Sequence, residues 1–130
     1  MVIGTGIDIV EVARIKRAAL QWKGSFLNKV FTRHEQAYAA QRAKTYQHLA
    51  ARFAAKEAVL KAFGGGRGKG IAWTDIEIRN APSGQPIIRL HGRMKMLHTE
   101  LRVGSIAVSM SHTRTYAVAS VIVVGERNIS

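Results

Sequence analysis

The stretch Leu49 to Gly64, "LAARFAAKEAVLKAFG", constrains the fold more than any other part of the chain. Its periodicity predicts a helix from about Gln47 to Phe63, stopped by the glycines that follow. Leu49, Phe53, Val59, Leu60 and Phe63 make one broad apolar face. The opposite side carries Ala50, Ala51, Ala54, Ala55, Ala58 and Ala62, a back so smooth that another element must pack closely against it. Into this covered helix are set Arg52, Lys56, Glu57 and Lys61, with Lys56 inside the apolar arc. A buried charge is costly unless it is paired or holds an ion or ligand. One carboxylate among three cations suits a divalent metal, with the cations facing the phosphates that the metal carries. Glu57 and Lys61 also fit an ordinary solvated i,i+4 pair.

A hard cation needs a second oxygen ligand, and Asp8 is the natural candidate. It lies near the end of a β-branched strand over Val2 to Val10, in the glycine-bearing context "GTGID". Its alternative role is N-terminal charge for the helix that starts near Glu11. In that helix Val12, Ile15, Ala19 and Trp22 share one face, and Arg14, Arg17 and Gln21 another. Thr32 and Glu35 form a capping-box signature for a helix over about Arg33 to Lys44.

Beyond the glycines the pattern turns to strands: "WTDIEIR" (73–79), a turn at "NAPSGQP", and a hairpin arm over Ile87 to Leu90. A short helix follows over Arg93 to Arg102, then strands over Ser105 to Ser111 and Thr115 to Val124 about the turn "HTR". Helix-rich first and strand-rich later, the chain reads as one α+β domain over residues 1–130, with a mostly antiparallel sheet.

The glycine run "GGGRGKG" (64–70) is not a P-loop. Only three residues separate Gly64 from the Gly68-Lys69 pair, a glycine stands where the metal-binding hydroxyl belongs, and the run follows a helix. Twenty Lys and Arg against eight acids give +12, which calls for an anionic partner. With no cysteine there is no thiolate nucleophile or zinc site, and no apolar run is long enough to span a bilayer. A soluble cytoplasmic protein is expected. A basic RNA-binding module is the rival reading, opposed by the absence of interleaved aromatic and basic residues on a strand.

"GTGIDIVEVARI", "FTRHE", "RFAAKEAVLKAFG" with its glycine loop, "DIEI" and "VSMSHTRTYAVA" occur in fixed order along nearly the whole chain. The ordered set resembles the holo-acyl-carrier-protein synthase family, the short 4′-phosphopantetheinyl transferases. The resemblance implies Mg²⁺-dependent transfer of 4′-phosphopantetheine from coenzyme A to a serine of apo-acyl carrier protein, releasing adenosine 3′,5′-bisphosphate. It implies Asp8 and Glu57 as metal ligands, Lys61 as the cation at the attacked phosphate, and His112 with Thr113 against the coenzyme's phosphates. His112 could equally be a core histidine bonded to Ser109 or Ser111. Arg52, Lys56 and the glycines nearest Lys61 (Gly64, Gly65 and Gly66) are expected to border the coenzyme, with Arg42 and Lys44 towards its 3′-phosphate. Arg14 matches the carrier-binding arginine, and Arg17 and Gln21 extend that face towards an acidic carrier. A homotrimer with active sites at subunit interfaces is implied as well. Arg67 and Lys69 have no family counterpart assumed to be basic.

Overall fold

The computed structural model describes residues 1–65 and 70–127. Gly66, Arg67 and Lys69 therefore lie outside the described residues. Strand β1 (Val2–Glu11) is followed by helices α1 (Val12–Trp22), α2 (Gly24–Val30), α3 (Arg33–Ala40) and α4 (Thr45–Ala62). A 3₁₀ turn at Trp73–Asp75 leads into β2 (Ile76–Asn80) and β3 (Pro86–Leu90), then α5 (Gly92–Glu100), β4 (Val103–His112) and β5 (Tyr116–Gly125). Strands β1, β5 and β4 form an antiparallel sheet with β5 in the centre, and β2 and β3 form a separate hairpin. The α+β architecture with antiparallel sheets is as the sequence predicts.

The alanine back of α4 meets the glycines of β1. A Cβ added to Gly4 would stand 1.9 Å from the Ala62 carbonyl oxygen, and one added to Gly6 would stand 2.0 Å from that of Ala58. Helix and strand touch backbone to backbone. Two strand residues advance about 6.6 Å and four helical residues about 6 Å, so this pairing keeps step as the two elements run antiparallel. The same alternation turns Asp8 and Val10 to the helix side. The central strand presents Ala117, Ala119, Val121 and Val123 to the core, all buried together with most of α4.

Several local expectations change. The capping box is present, with the Thr32 side chain accepting from Glu35 N and Glu35 Oε1 accepting from Thr32 N. Helix α3 nevertheless ends at Ala40, where Arg42 N bonds the Ala39 carbonyl in a turn, instead of running to Lys44. Helix α2 is an additional element that the sequence patterns do not announce. Residues 73–75 wind into a 3₁₀ turn closed by Asp75 N on the Ala72 carbonyl, so the strand begins only at Ile76. Trp22, expected on the buried face of α1, is 58 % exposed, close to the helix end. Helix α4 stops as expected: Gly64 N bonds the Lys61 carbonyl and Gly65 N bonds that of Leu60, a Schellman closure that the positive φ of Gly64 and Gly65 permits.

Candidate active site

Lys61 carries the geometry. It leaves the last turn of α4 and crosses to β1, where its Nζ donates to the Ile7 carbonyl at 2.9 Å and to Asp8 Oδ1 at 3.0 Å. Its side chain is 51 % exposed and that of Asp8 18 %, so the pair sits at the rim of the helix–strand seam. Glu57, one turn before Lys61, is half-buried on the same helix. By the step that sets Gly4 against Ala62 and Gly6 against Ala58, Asp8 falls at the level of Ala54, three residues before Glu57 on α4. Two clefts flank Lys61. One, of about 490 Å³, is lined by Gly4, Thr5, Phe63 and Gly64, and the other, of about 470 Å³, by Gly6, Ile7, Ser120 and Ile122.

Asp8 and Glu57 offer only hard carboxylate oxygens, the donor type that Mg²⁺ selects. Among the described residues no group of three or more His, Asp or Glu converges on a metal position. A two-carboxylate site suits an ion that keeps several waters and takes further oxygens from a phosphate substrate. The residues fit the expected metal.

Two of the expected phosphate-facing cations are elsewhere. Lys56 is fully buried and paired with Glu35 Oε1 at 2.8 Å, and its Nζ also donates to the carbonyls of Trp73 (3.2 Å) and Ile76. Three donors meet three acceptors, and none is left for a ligand. Burial lowers its pKa and Glu35 partly restores it. Arg52 is 1 % exposed, with Nη2 on Asn80 Oδ1 at 2.7 Å and Nε buried without a hydrogen-bond partner. Its guanidinium lies 3.9 Å from the centre of the Tyr38 ring, and that of Arg42 lies 3.4 Å from the same ring.

His112 bonds neither Ser109 nor Ser111. Its Nδ1 lies 2.7 Å from Gln47 Oε1, and its ring packs edge-on against His48 with centroids 4.9 Å apart. Burial, then the charges of His112, Arg52, Arg42 and Lys44, hold His48 below the usual histidine pKa. These side chains make a second positive region at the N-terminus of α4, where Lys44 occupies the N-cap with no side-chain cap. Gln47 and Glu57 are ten residues apart on α4, roughly 15 Å along its axis. One protomer therefore does not bring His112 to Asp8, Glu57 and Lys61. Thr113 is exposed and builds the β4–β5 turn, its Oγ1 accepting from Thr115 N and Tyr116 N. Arg14, Arg17 and Gln21 all face solvent from α1.

Glu35, Tyr38, Gln47 and His48 are the neighbours that sequence reasoning does not connect to the site. The one available signal is Lys56 within an apolar arc, which demands a counter-charge from somewhere.

The family model of the 4′-phosphopantetheinyl transferase superfamily matches residues 4–121. The chain belongs to that superfamily. Within it, the chain groups with the holo-acyl-carrier-protein synthases. It is 46 % identical over 125 residues to the holo-[acyl-carrier-protein] synthase of Syntrophus aciditrophicus, covering 96 % of this chain and 98 % of the relative. The Ruminiclostridium cellulolyticum synthase is 49 % identical over 124 residues, covering 95 % and 91 %. The crystal structure of the Helicobacter pylori synthase in complex with coenzyme A superposes with a TM-score of 0.81 at 33 % identity, covering 92 % of this chain and 98 % of that one. That of the Neisseria meningitidis synthase reaches a TM-score of 0.86 at 30 % identity, covering 95 % and 98 %. The phosphopantetheinyl transferase fold thus places the Asp8–Lys61 seam within a family whose members include a coenzyme A complex.

Proposed function

We propose that this chain transfers 4′-phosphopantetheine from coenzyme A to a serine hydroxyl of apo-acyl carrier protein, with Mg²⁺ held by Asp8 and Glu57. The serine oxygen bonds to the phosphorus attached to pantetheine while its hydroxyl proton passes to solvent. The bond from that phosphorus to the bridging oxygen breaks, so that oxygen leaves on adenosine 3′,5′-bisphosphate. Bound Mg²⁺ would supply charge neutralisation on the pyrophosphate. The observation that carries the reading is the Lys61–Asp8 contact across the α4–β1 seam, one turn from Glu57.

A half-exposed ion pair is worth little, about 0–1 kcal/mol. Lys61 is thus held in place at small cost and is available to a phosphate that offers a stronger charge. Phosphoryl transfer needs little from the protein beyond such positioning and neutralisation. Gly64 lines the cleft beside Lys61, and Gly65 follows it, neither with a side chain to obstruct a ligand. Arg42 and Lys44, beside His112 and the open N-terminal N–H groups of α4, suit the 3′-phosphate of the coenzyme. Arg52, shut from solvent, contributes its field and its stacking on Tyr38 instead of a direct contact.

The outer face of the three-stranded sheet supports the homotrimer. Ile7 and Ile9 are each 64 % exposed there, beside exposed Tyr116 and Ile122. Burying that face between copies would also let His112 of one protomer approach the carboxylates of the next. The basic α1 face carries Arg14 and Arg17 for an acidic carrier. Among the described residues no helix is long and apolar enough to cross a membrane.

The test is incubation with coenzyme A, Mg²⁺ and an apo-carrier protein, read by mass spectrometry of the carrier. The expected result is added phosphopantetheine mass that EDTA abolishes. An unmodified carrier, across several carriers, would refute the transferase reading.

A further inference from the structure

The buried pair Glu35–Lys56 lies outside the chemistry but directly behind it. Lys56 immediately precedes Glu57, about 100° around the helix. Its Nζ fixes three points: Glu35 Oε1, the Trp73 carbonyl and the Ile76 carbonyl. Glu35 in turn accepts from Thr32 N at 2.9 Å and from Ile78 N at 2.8 Å. Both side chains are 0 % exposed. The start of α3, the middle of α4, the 3₁₀ turn and the first residues of β2 therefore meet at a single ammonium–carboxylate junction.

Such a junction is a poor device for stability alone. Apolar residues of similar volume often replace a buried ion pair at no loss, because desolvation offsets the attraction. What an apolar pair lacks is direction. The close contact of Gly4 and Gly6 with the Ala62 and Ala58 carbonyls fixes how near α4 lies to β1, but the smooth alanine back offers few directional contacts to fix the helix's rotation about its own axis. The three bonds of Lys56 supply them.

We propose that Glu35 and Lys56 are positioning residues that set the rotation of α4, and thereby hold the Glu57 carboxylate in register with Asp8 for a divalent cation. This rests on the reading of Asp8 and Glu57 as the metal pair.

The test uses the full chain with two variants, Glu35→Gln and the double variant Lys56→Met/Glu35→Gln. Each is measured by thermal unfolding, by Mn²⁺ binding through electron paramagnetic resonance in the presence of coenzyme A, and by the Mg²⁺ dependence of transfer well below its melting temperature. The double variant leaves the Trp73 and Ile76 carbonyls without the Lys56 donor, so it is expected to fold with a lowered melting temperature and to bind Mn²⁺ at least tenfold more weakly at temperatures where it is fully folded. Its half-saturating Mg²⁺ concentration should rise in parallel, and Glu35→Gln should show the same direction of change. Mn²⁺ affinity within twofold of the unaltered chain in a folded variant would overturn the proposal. So would failure of both variants to fold, since the pair would then be a requirement of folding instead of a positioning device. Glu57→Gln separates the two layers. If it keeps full Mn²⁺ affinity, the metal reading itself fails. If it loses that affinity while the pair variants keep it, only the positioning proposal fails.

Discussion

Lys61 on α4 and Asp8 on β1 meet at 3.0 Å across a seam where helix and strand backbones are in direct contact. The ammonium bridges the two elements that carry the proposed metal ligands, and it is half exposed. Lys61→Met should therefore change the melting temperature little, since an exposed pair contributes about 1 kcal/mol or less. Its turnover should fall roughly 100-fold or more, the scale on which enzymes lose rate when one preorganised charge donor is removed. Steady-state kinetics with coenzyme A and carrier would check this, and unchanged kcat would remove Lys61 from the reaction.

Gly6→Ala should be severely destabilising. The new Cβ would stand 2.0 Å from the Ala58 carbonyl oxygen, which is backbone and has no rotamer to relieve the clash. Overpacking a core typically costs 1–3 kcal/mol, and a collision with a helix backbone should reach the upper end, about 3 kcal/mol or more. Urea denaturation measures it. A loss below about 1 kcal/mol would show that α4 can lift from β1 freely.

Glu77 makes acid stability testable. Burial raises its pKa, but hydrogen bonds from Thr32, His91 and Arg79 outweigh burial and bring it down to about 2 from 4.5. A carboxylate with a depressed folded pKa adds stability that is fully present above pH 4.5 and is lost as the pH falls towards 2. At 1.36 kcal/mol per pKa unit the contribution is about 3 kcal/mol. Glu77→Gln should flatten the fall in stability between those pH values, as followed by denaturant midpoints. An equally steep fall in the variant would place the acid sensitivity elsewhere.

Charge reversal on α1 should act on encounter with the carrier. Arg14→Glu with Arg17→Glu is expected to lower kcat/KM for the carrier at low salt and to leave KM for coenzyme A unchanged. The difference should shrink as salt is raised, because screening weakens steering between exposed charges. A salt-independent loss would argue against an electrostatic docking face.

Much of this architecture is legible in the amino-acid sequence. The alanine back of α4 and the glycines of β1 announce a close packing, and the clash distances at Gly4 and Gly6 show how close it is. The capping box at Thr32 and the glycine stop at Gly64 rest on local chemistry, and both appear as expected. Less legible is anything that depends on distant partners. Lys56 stands out as a charge in an apolar arc, yet its counter-ion comes from Glu35, twenty-one residues earlier and already occupied with its cap. Residues 73–75 alternate like a strand, but Asp75 accepts from Ala72 N and folds the segment into a turn. His112 finds Gln47, sixty-five residues away, in place of its neighbouring serines.

Transfer by this chain stands or falls with a divalent cation held by Asp8 and Glu57. The most direct test is Mn²⁺ binding to Glu57→Gln and Asp8→Asn in the presence of coenzyme A, with circular dichroism confirming that both remain folded. Either folded variant should lose the bound Mn²⁺ signal together with Mg²⁺-dependent transfer. A folded variant that binds Mn²⁺ as tightly as the unaltered chain and still modifies the carrier would contradict the assignment.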